Sequence, residues 1–262
     1  MTGGRGPVHQ LAIDVGNTKT ALGLFEKGRL IFQWRVRTVH WTPDELWVLV
    51  HSLFGASGAP MPSVVAYACV VPQVTHALVG FSRRWIHTEP IEVNPGTAGM
   101  PLDYPNPLEL GPDRLANAVG ALLMVEAPVI VADFGTATTF DVIDSRGMYV
   151  GGAILPGVGT AASELFKKAE RISPVDLEFP ESPLGRSTVA AVRSGVLFGA
   201  VGSADRMTEL LSETVGGHPS LLATGGWAGA ICPRCRAPFR VCPELTLSGI
   251  DAIGRKRRFD NG

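Results

Sequence analysis

Two stretches of the chain, Asp14-Val-Gly-Asn-Thr-Lys-Thr and Asp133-Phe-Gly-Thr-Ala-Thr-Thr, lie over one another without a gap. Their separation, 133 minus 14, is 119 residues, and at the same separation Gly28 falls on Gly147. Each copy is an apolar strand ending in Asp, a turn of Gly with small hydroxyl or amide residues, a returning strand and a glycine turn. Two β-β units of this kind imply a duplicated architecture. The alternative is a chance match, because glycines are common in turns.

Around the repeat, strand and helix signals alternate. Gln10 to Val15, Ala21 to Phe25 and Leu30 to Val36 predict three strands, the last two joined by Glu26-Lys27-Gly28-Arg29. Thr42-Pro43-Asp44-Glu45 supplies an N-cap, a first-turn proline and the glutamate of a capping box, so a helix starts there. Val64 to Val71 predicts a buried strand, Gln73 to Trp85 an amphipathic helix, Ile91 to Val93 a short strand and Asn94 to Pro107 a surface loop. Gly111-Pro112-Asp113-Arg114 opens another helix. Strands over Val129 to Ala132, Thr139 to Ile143 and Met148 to Ile154 follow, then helices over Ala161 to Ala169 and Thr188 to Val215, and a strand over Ser220 to Ala223. This is the pattern of an α/β fold. Beyond Gly226 the chain is punctuated by cysteine and proline, and no element is assigned. Trp47, Phe54 and Phe198 sit at helical spacing and are expected in the core.

With 262 residues, 45% hydrophobic and 18% charged, the chain has a globular composition and the length of one large domain or two modest ones. A net charge of -1 argues against the basic face that nucleic-acid binding requires. No run approaches the roughly 18 apolar residues of a membrane span. The opening MTGGRGPVHQ lacks a signal peptide's apolar core, and a cytoplasmic protein is expected. Cys69, Cys232, Cys235 and Cys242 are too few for a disulfide framework in a chain this long, so reduced thiols are expected. The one basic run, Arg255-Lys256-Arg257-Arg258, reads as a solvated terminus.

The repeated turns suit phosphate. Glycine lets the backbone approach closely, consecutive N–H groups form an anion cradle, Asn and Thr side chains add donors, and an aspartate at the strand end can hold a cation. A β-hairpin with ordinary turn residues is the alternative for either copy alone. No Walker-type G-x-x-x-x-G-K-[ST] sequence is present. Gly157-Val-Gly159-Thr-Ala-Ala162, with Asp176 downstream, fits the dinucleotide fingerprint and leaves a nicotinamide-binding reading open. Asp113, in the first turn of its helix, reads either as a helix cap or as the acceptor of a hydroxyl proton in phosphoryl transfer. The helix dipole there favours its ionised form.

Together, Asp14-Val-Gly-Asn-Thr, Gly111-Pro-Asp-Arg, Asp133-Phe-Gly-Thr-Ala-Thr-Thr-Phe-Asp, Gly151-Gly-Ala-Ile-Leu-Pro-Gly and Thr224-Gly-Gly resemble the type III pantothenate kinases in order and spacing, from about Leu11 to Gly226. That family belongs to the actin, sugar kinase and Hsp70 superfamily. The resemblance implies an α/β protein of two ribonuclease H-like (actin-like ATPase) domains, 1–116 and 117–262, with an interdomain active-site cleft. It implies ATP-dependent phosphorylation of pantothenate to 4'-phosphopantothenate, the first step of coenzyme A synthesis.

By motif match, Asp113 is the implied base on the pantothenate hydroxyl, and Tyr104, Gly111, Pro112, Arg114 and Thr188 line the pantothenate pocket. The turn from Asp14 through Val15, Gly16, Asn17, Thr18, Lys19 and Thr20 to Ala21, with Gly135, Thr136, Gly225 and Gly226, is implied to hold ATP. Asp14 acts on Mg2+, directly or through water. Asp133 matches a monovalent-cation ligand, so K+ or ammonium is expected to activate. A homodimer whose interface builds part of the pantothenate pocket is also implied.

Two positions depart from the family pattern. Pro112 stands where Ala is commoner, and Lys19 stands where an uncharged residue is frequent; the lysine either meets ATP phosphates or faces solvent. Cys232-Pro-Arg-Cys235 with Cys242 is half of a zinc pattern lacking its fourth ligand, with His218 the nearest histidine in sequence, or a group of unliganded thiols. A nucleotide-binding Bvg accessory factor without turnover, or another phosphotransferase of the superfamily, is the alternative function; intact Asp14, Asp113 and Asp133 count against the former.

Overall fold

The computed structural model describes residues 8–260, the side chains of the last two excepted. The leading segment up to residue 7, and with it most of the opening expected to lack a signal sequence, lies outside the described residues. In chain order the elements are β1 (His9–Val15), β2 (Lys19–Glu26), β3 (Arg29–Arg37), α1 (Pro43–Ser57), β4 (Val64–Cys69), α2 (Pro72–Phe81), β5 (Ile91–Glu92), α3 (Pro95–Ala98) and α4 (Pro112–Leu122). There follow β6 (Val129–Phe134), β7 (Ala137–Ile143), β8 (Tyr149–Pro156), α5 (Val158–Lys168), α6 (Thr188–Val215), β9 (Ser220–Thr224), α7 (Ala228–Ile231), β10 (Arg240–Val241) and α8 (Leu245–Asp260).

The chain forms two compact units. One runs to Met124 and takes back the chain from Glu244 onward; the other is Val125–Pro243. The first has a sheet in the order β3-β2-β1-β4-β5, and the second a sheet in the order β10-β9-β6-β7-β8. In each, three antiparallel strands come first in sequence and two strands parallel to the innermost of them complete the sheet. The duplication read from the two motifs is therefore a duplication of topology. Even the β-bulge recurs, at Leu24/Phe25 and at Val142/Ile143. One detail differs: Val15 pairs with Thr20, but Phe134 pairs with Thr138, so the second turn is one residue shorter. The gapless superposition slips by one residue across the turn, and Thr20 corresponds in register to Thr138.

Alternation along β1 explains the first unit's layers. Leu11, Ile13 and Val15 pack with Leu22 and Leu24 against Leu46, Val50 and Phe54 of α1 and Val74, Leu78 and Phe81 of α2. On the other face, Gln10 Nε2 donates to the Asp251 carbonyl of α8 at 2.8 Å. Helix α1 starts as its sequence predicts: the Glu45 backbone N–H donates to Thr42 Oγ1 at 3.2 Å, and the Thr42 N–H to Glu45 Oε2 at 2.7 Å. In the second unit, Ile130, Ala132, Phe134, Phe140 and Val142 are covered by Val158 of α5, Leu197, Val201 and Ala204 of α6, and Ile231 of α7. Phe54 is buried as expected, whereas Trp47 and Phe198 are half-buried.

Three sequence expectations need revision. Helix α2 ends at Phe81 and continues to Ile86 only as a π-turn. A division at 116/117 cuts through α4, and the last helix belongs with the first unit, where it packs on α4 and β1. The basic run is not simply solvated: Arg255 Nε binds Asp251 Oδ2 at 2.7 Å, Lys256 Nζ donates to the Gly99 carbonyl at 3.1 Å, and Arg257 donates to the Gly96 carbonyl. Among the described residues no helix is long and apolar enough to cross a membrane.

Candidate active site

The first of the two repeated turns joins β1 to β2. Asp14 is half-buried at the end of β1, beside Ala68 of β4, and its negative charge is one of the causes that hold the Cys69 thiol above its ordinary pKa. Val15 and Thr20 are buried, so any contact they make with a nucleotide runs through the backbone. Asn17, Thr18 and Lys19 are exposed at the tip, between half-buried Gly16 and Ala21. The Gly16 N–H is already spent inside the turn, on the Lys19 carbonyl at 3.1 Å.

The second turn, between β6 and β7, is built alike. The Gly135 N–H donates to the Ala137 carbonyl at 3.0 Å, leaving Thr136 exposed at the tip. Gly225, with φ +91°, leads from β9 over this turn; a Cβ on it would stand 2.5 Å from Asp133 Oδ1 and 2.6 Å from the Phe134 backbone. Only glycine allows that approach, and it brings Asp133, Gly135 and Gly225 together. Gly226 is exposed beside them. Gly157 completes the group, since a Cβ there would lie 2.3 Å from the Gly135 carbonyl oxygen. Its G-x-G-x-x-A pattern thus serves close packing on the turn, and β8, which precedes it, is antiparallel to β7 rather than part of a parallel βαβ unit.

Asp113 stands in the first turn of α4, after Pro112 at the first helical position. Its Oδ1 accepts the Arg114 backbone N–H at 2.9 Å, and a Cβ at Gly111 would stand 2.6 Å from the same oxygen. Glycine at 111 thus lets the carboxylate fold back over its own helix end. Burial pushes its pKa up, against the opposing pull of the Arg114 N–H and charge. This reverses the expectation that the helix dipole would dominate and leave a weak base. Arg114 is itself buried, at 9% exposure. Tyr104 is half-buried in the loop before α4, in the same unit. Thr188 is exposed at the start of α6 in the other unit, where Ser187 Oγ caps the helix by accepting the Ala190 N–H at 3.2 Å.

Among the described residues no group of three or more His, Cys, Asp or Glu is placed to hold a metal ion. Burial pushes the Cys232 thiol up to about 11 and the Cys235 thiol up to about 12, where both stay protonated at neutral pH. Sequence reasoning missed Thr38 and Thr160, which hold the two turns from behind, and it marked Gly157 through the dinucleotide-like pattern and the Gly151-to-Gly157 motif without this role.

Residues 10–210 match the family model of the type III pantothenate kinases. The type III pantothenate kinase of Syntrophobacter fumaroxidans is 39% identical over 253 residues, covering 95% of this chain and 98% of the relative. Among solved structures, the Baf family protein of Campylobacter jejuni aligns over 95% of this chain and 99% of its own, with a TM-score of 0.59 at 18% identity. A ROK family glucokinase from Streptomyces griseus aligns over 95% and 99%, with a TM-score of 0.55 at 14% identity. At such identities both likenesses concern the fold, which is that of the actin-like ATPases and sugar kinases. With full-length relatives at this identity, the chain belongs to the type III pantothenate kinase family and phosphorylates pantothenate with ATP in coenzyme A biosynthesis.

Proposed function

We propose that Asp113 accepts the proton of the pantothenate hydroxyl as its oxygen forms a bond to the γ-phosphorus and the bond to ADP breaks. The observation that carries this role is a half-buried carboxylate with a pKa pushed up by burial, next to a buried arginine. A base raised toward the working pH is a better proton acceptor than an ordinary carboxylate. Arg114, Gly111, Pro112 and Tyr104 line the acceptor's pocket, the buried guanidinium complementing the substrate's carboxylate. Phosphoryl transfer of this loose kind depends on positioning and on electrostatic stabilisation more than on a strong base.

ATP and a divalent metal belong to the reaction of such a kinase. Asp14 offers the hard oxygen ligand that Mg2+ takes, directly or through water. The turn from Gly16 to Lys19, with Gly135 and Thr136, holds the phosphates, and Gly225 and Gly226 lie on the adenosine side. Lys19 faces phosphate in this reading. It pairs across strands with Arg37, both are exposed, and among the described residues neither has an acidic partner. Like charges directly opposite are unfavourable unless an anion joins them. Asp133 is the monovalent-cation ligand in this reading, its carboxylate offering a hard oxygen near the end of β6.

A homodimer fits the second unit. A groove of about 1050 Å³ runs along α6, floored by Ala191, Gly195, Gly199 and Ser203, with Thr188 on its rim and Leu165 of α5 beside it. Gly195 and Gly199 have open space above them, the kind of surface against which a second helix packs closely.

These assignments are tested by ADP release from ATP, Mg2+ and pantothenate in K+ and again in Na+. Pantothenate-dependent turnover that is at least tenfold faster in K+ is expected. Equal rates in the two salts would remove the cation role of Asp133, and ADP release independent of pantothenate would remove the acceptor assignment.

A further inference from the structure

Three hydrogen bonds converge on a residue outside both motifs. Thr38 follows β3. Its N–H donates to the Thr18 carbonyl at 3.0 Å, and its Oγ1 donates to the Gly16 carbonyl at 2.7 Å. With its one hydroxyl proton so used, Thr38 Oγ1 accepts from Thr20 Oγ1 at 2.9 Å. Two carbonyls of the phosphate turn are thus tied to one side. A trans peptide points its N–H opposite to its C=O, so the Asn17 and Lys19 amides are directed away from Thr38.

The second unit repeats the device with different atoms. At the separation of the internal repeat, Thr38 corresponds to Gly157, which follows β8 as Thr38 follows β3. The Gly157 N–H donates to the Thr136 carbonyl at 3.2 Å, and Thr160 Oγ1 donates to the same oxygen at 2.6 Å. Each turn therefore has, behind it, one backbone N–H and one threonine hydroxyl that hold its carbonyls. Two halves that share little sequence in this region have kept the same brace.

We propose that Thr38 is a positioning residue for ATP, orienting the Asn17 and Lys19 amides of the first phosphate turn without touching the nucleotide. The inference rests on the reading of that turn as a phosphate site. Glycine at 16 makes the orientation worth fixing, because a peptide beside glycine rotates at little steric cost. Removing the hydroxyl leaves the Gly16 carbonyl unheld and lets the Asn17 amide leave the phosphate.

The test compares Thr38→Val, which keeps the shape and loses the hydroxyl, with Thr38→Ser, which keeps the hydroxyl. Steady-state kinetics would be read for both substrates, together with Tm. Thr38→Val is expected to raise KM for ATP roughly five- to tenfold, the factor one lost hydrogen bond is worth. KM for pantothenate should stay within twofold, and Thr38→Ser should return KM for ATP to within twofold of the parent. If the valine variant does not fold, Thr38→Ala gives the same comparison. An unchanged KM for ATP, an equal rise in both KM values, or a serine variant as impaired as valine would overturn the proposal. Asn17→Ala separates the two levels: if it raises KM for ATP while Thr38→Val does not, the brace alone is wrong. If Asn17→Pro, which deletes the N–H itself, does not move it either, the turn is not the phosphate site.

Discussion

Asp113 illustrates how a position near a helix N-terminus need not fix a carboxylate's pKa. The helix end and the Arg114 N–H favour the charged form, yet desolvation outweighs them and the pKa rises. The linkage has a definite sign. A carboxyl that holds its proton more tightly in the folded chain than in the unfolded one costs stability once pH rises through the folded pKa. At neutral pH Asp113→Asn should therefore fold at least as stably as the parent, with an equal or higher Tm by thermal melting. A clear fall in Tm would mean that the ionised carboxylate is held by interactions stronger than its burial. The sequence marked Asp113 through Gly111-Pro-Asp-Arg, but the balance of burial against dipole depends on packing and was not legible. Gly225 was marked among the residues that hold ATP; its closeness to Asp133 is a three-dimensional fact.

Among the long helices, α8 is the one that sequence reading did not assign, and its glycines explain why. Gly249 and Gly254 lower helix propensity, and the basic run gives the segment little amphipathic pattern. Packing accounts for both glycines. A Cβ on Gly249 would stand 1.9 Å from the Ala116 carbonyl oxygen, and one on Gly254 2.9 Å from Ala66 Cβ. From the other side, a Cβ on Gly120 of α4 would reach the Leu245 carbonyl oxygen at 2.5 Å. The two helices touch backbone to backbone, where even one methyl group must push them apart. Gly249→Ala should cost about 1–3 kcal/mol, the usual penalty of overpacking, despite alanine's better helix propensity. Urea unfolding measures it, and a stabilised variant would contradict this packing. By contrast α1 and α6 were legible at their starts, because Thr42 and the Ser187-Thr188 step carry their own capping chemistry. The turns were legible as motifs, but the one-residue slip between them was not, since register is set by strand pairing.

For the molecule as a whole, the chain's return matters. The first unit is completed by a helix that follows the whole second unit in sequence. Thr246 Oγ1 donates to Asn117 Oδ1 at 2.7 Å, both buried, and Gln10 reaches Asp251 from β1. A fragment of residues 1–116, a complete domain by the sequence-based division, should therefore fail to fold. Residues 125–243 should fold alone, as circular dichroism and thermal melting would report; a cooperative transition in the first fragment would contradict this arrangement. At this scale the candidate residues come from stretches far apart in sequence, Asp14 and Asp113 in the first unit and Asp133 and Gly225 in the second. The most direct measurement is the rate of 4'-phosphopantothenate formation across pH, followed by mass spectrometry for the parent and for Asp113→Asn. The expected result is an acid limb above the ordinary carboxylate pKa, and a variant slower by roughly 100-fold or more, as loss of a general base implies, that still binds both substrates. A variant within tenfold of the parent, with the same pH profile, would show that Asp113 is not the base.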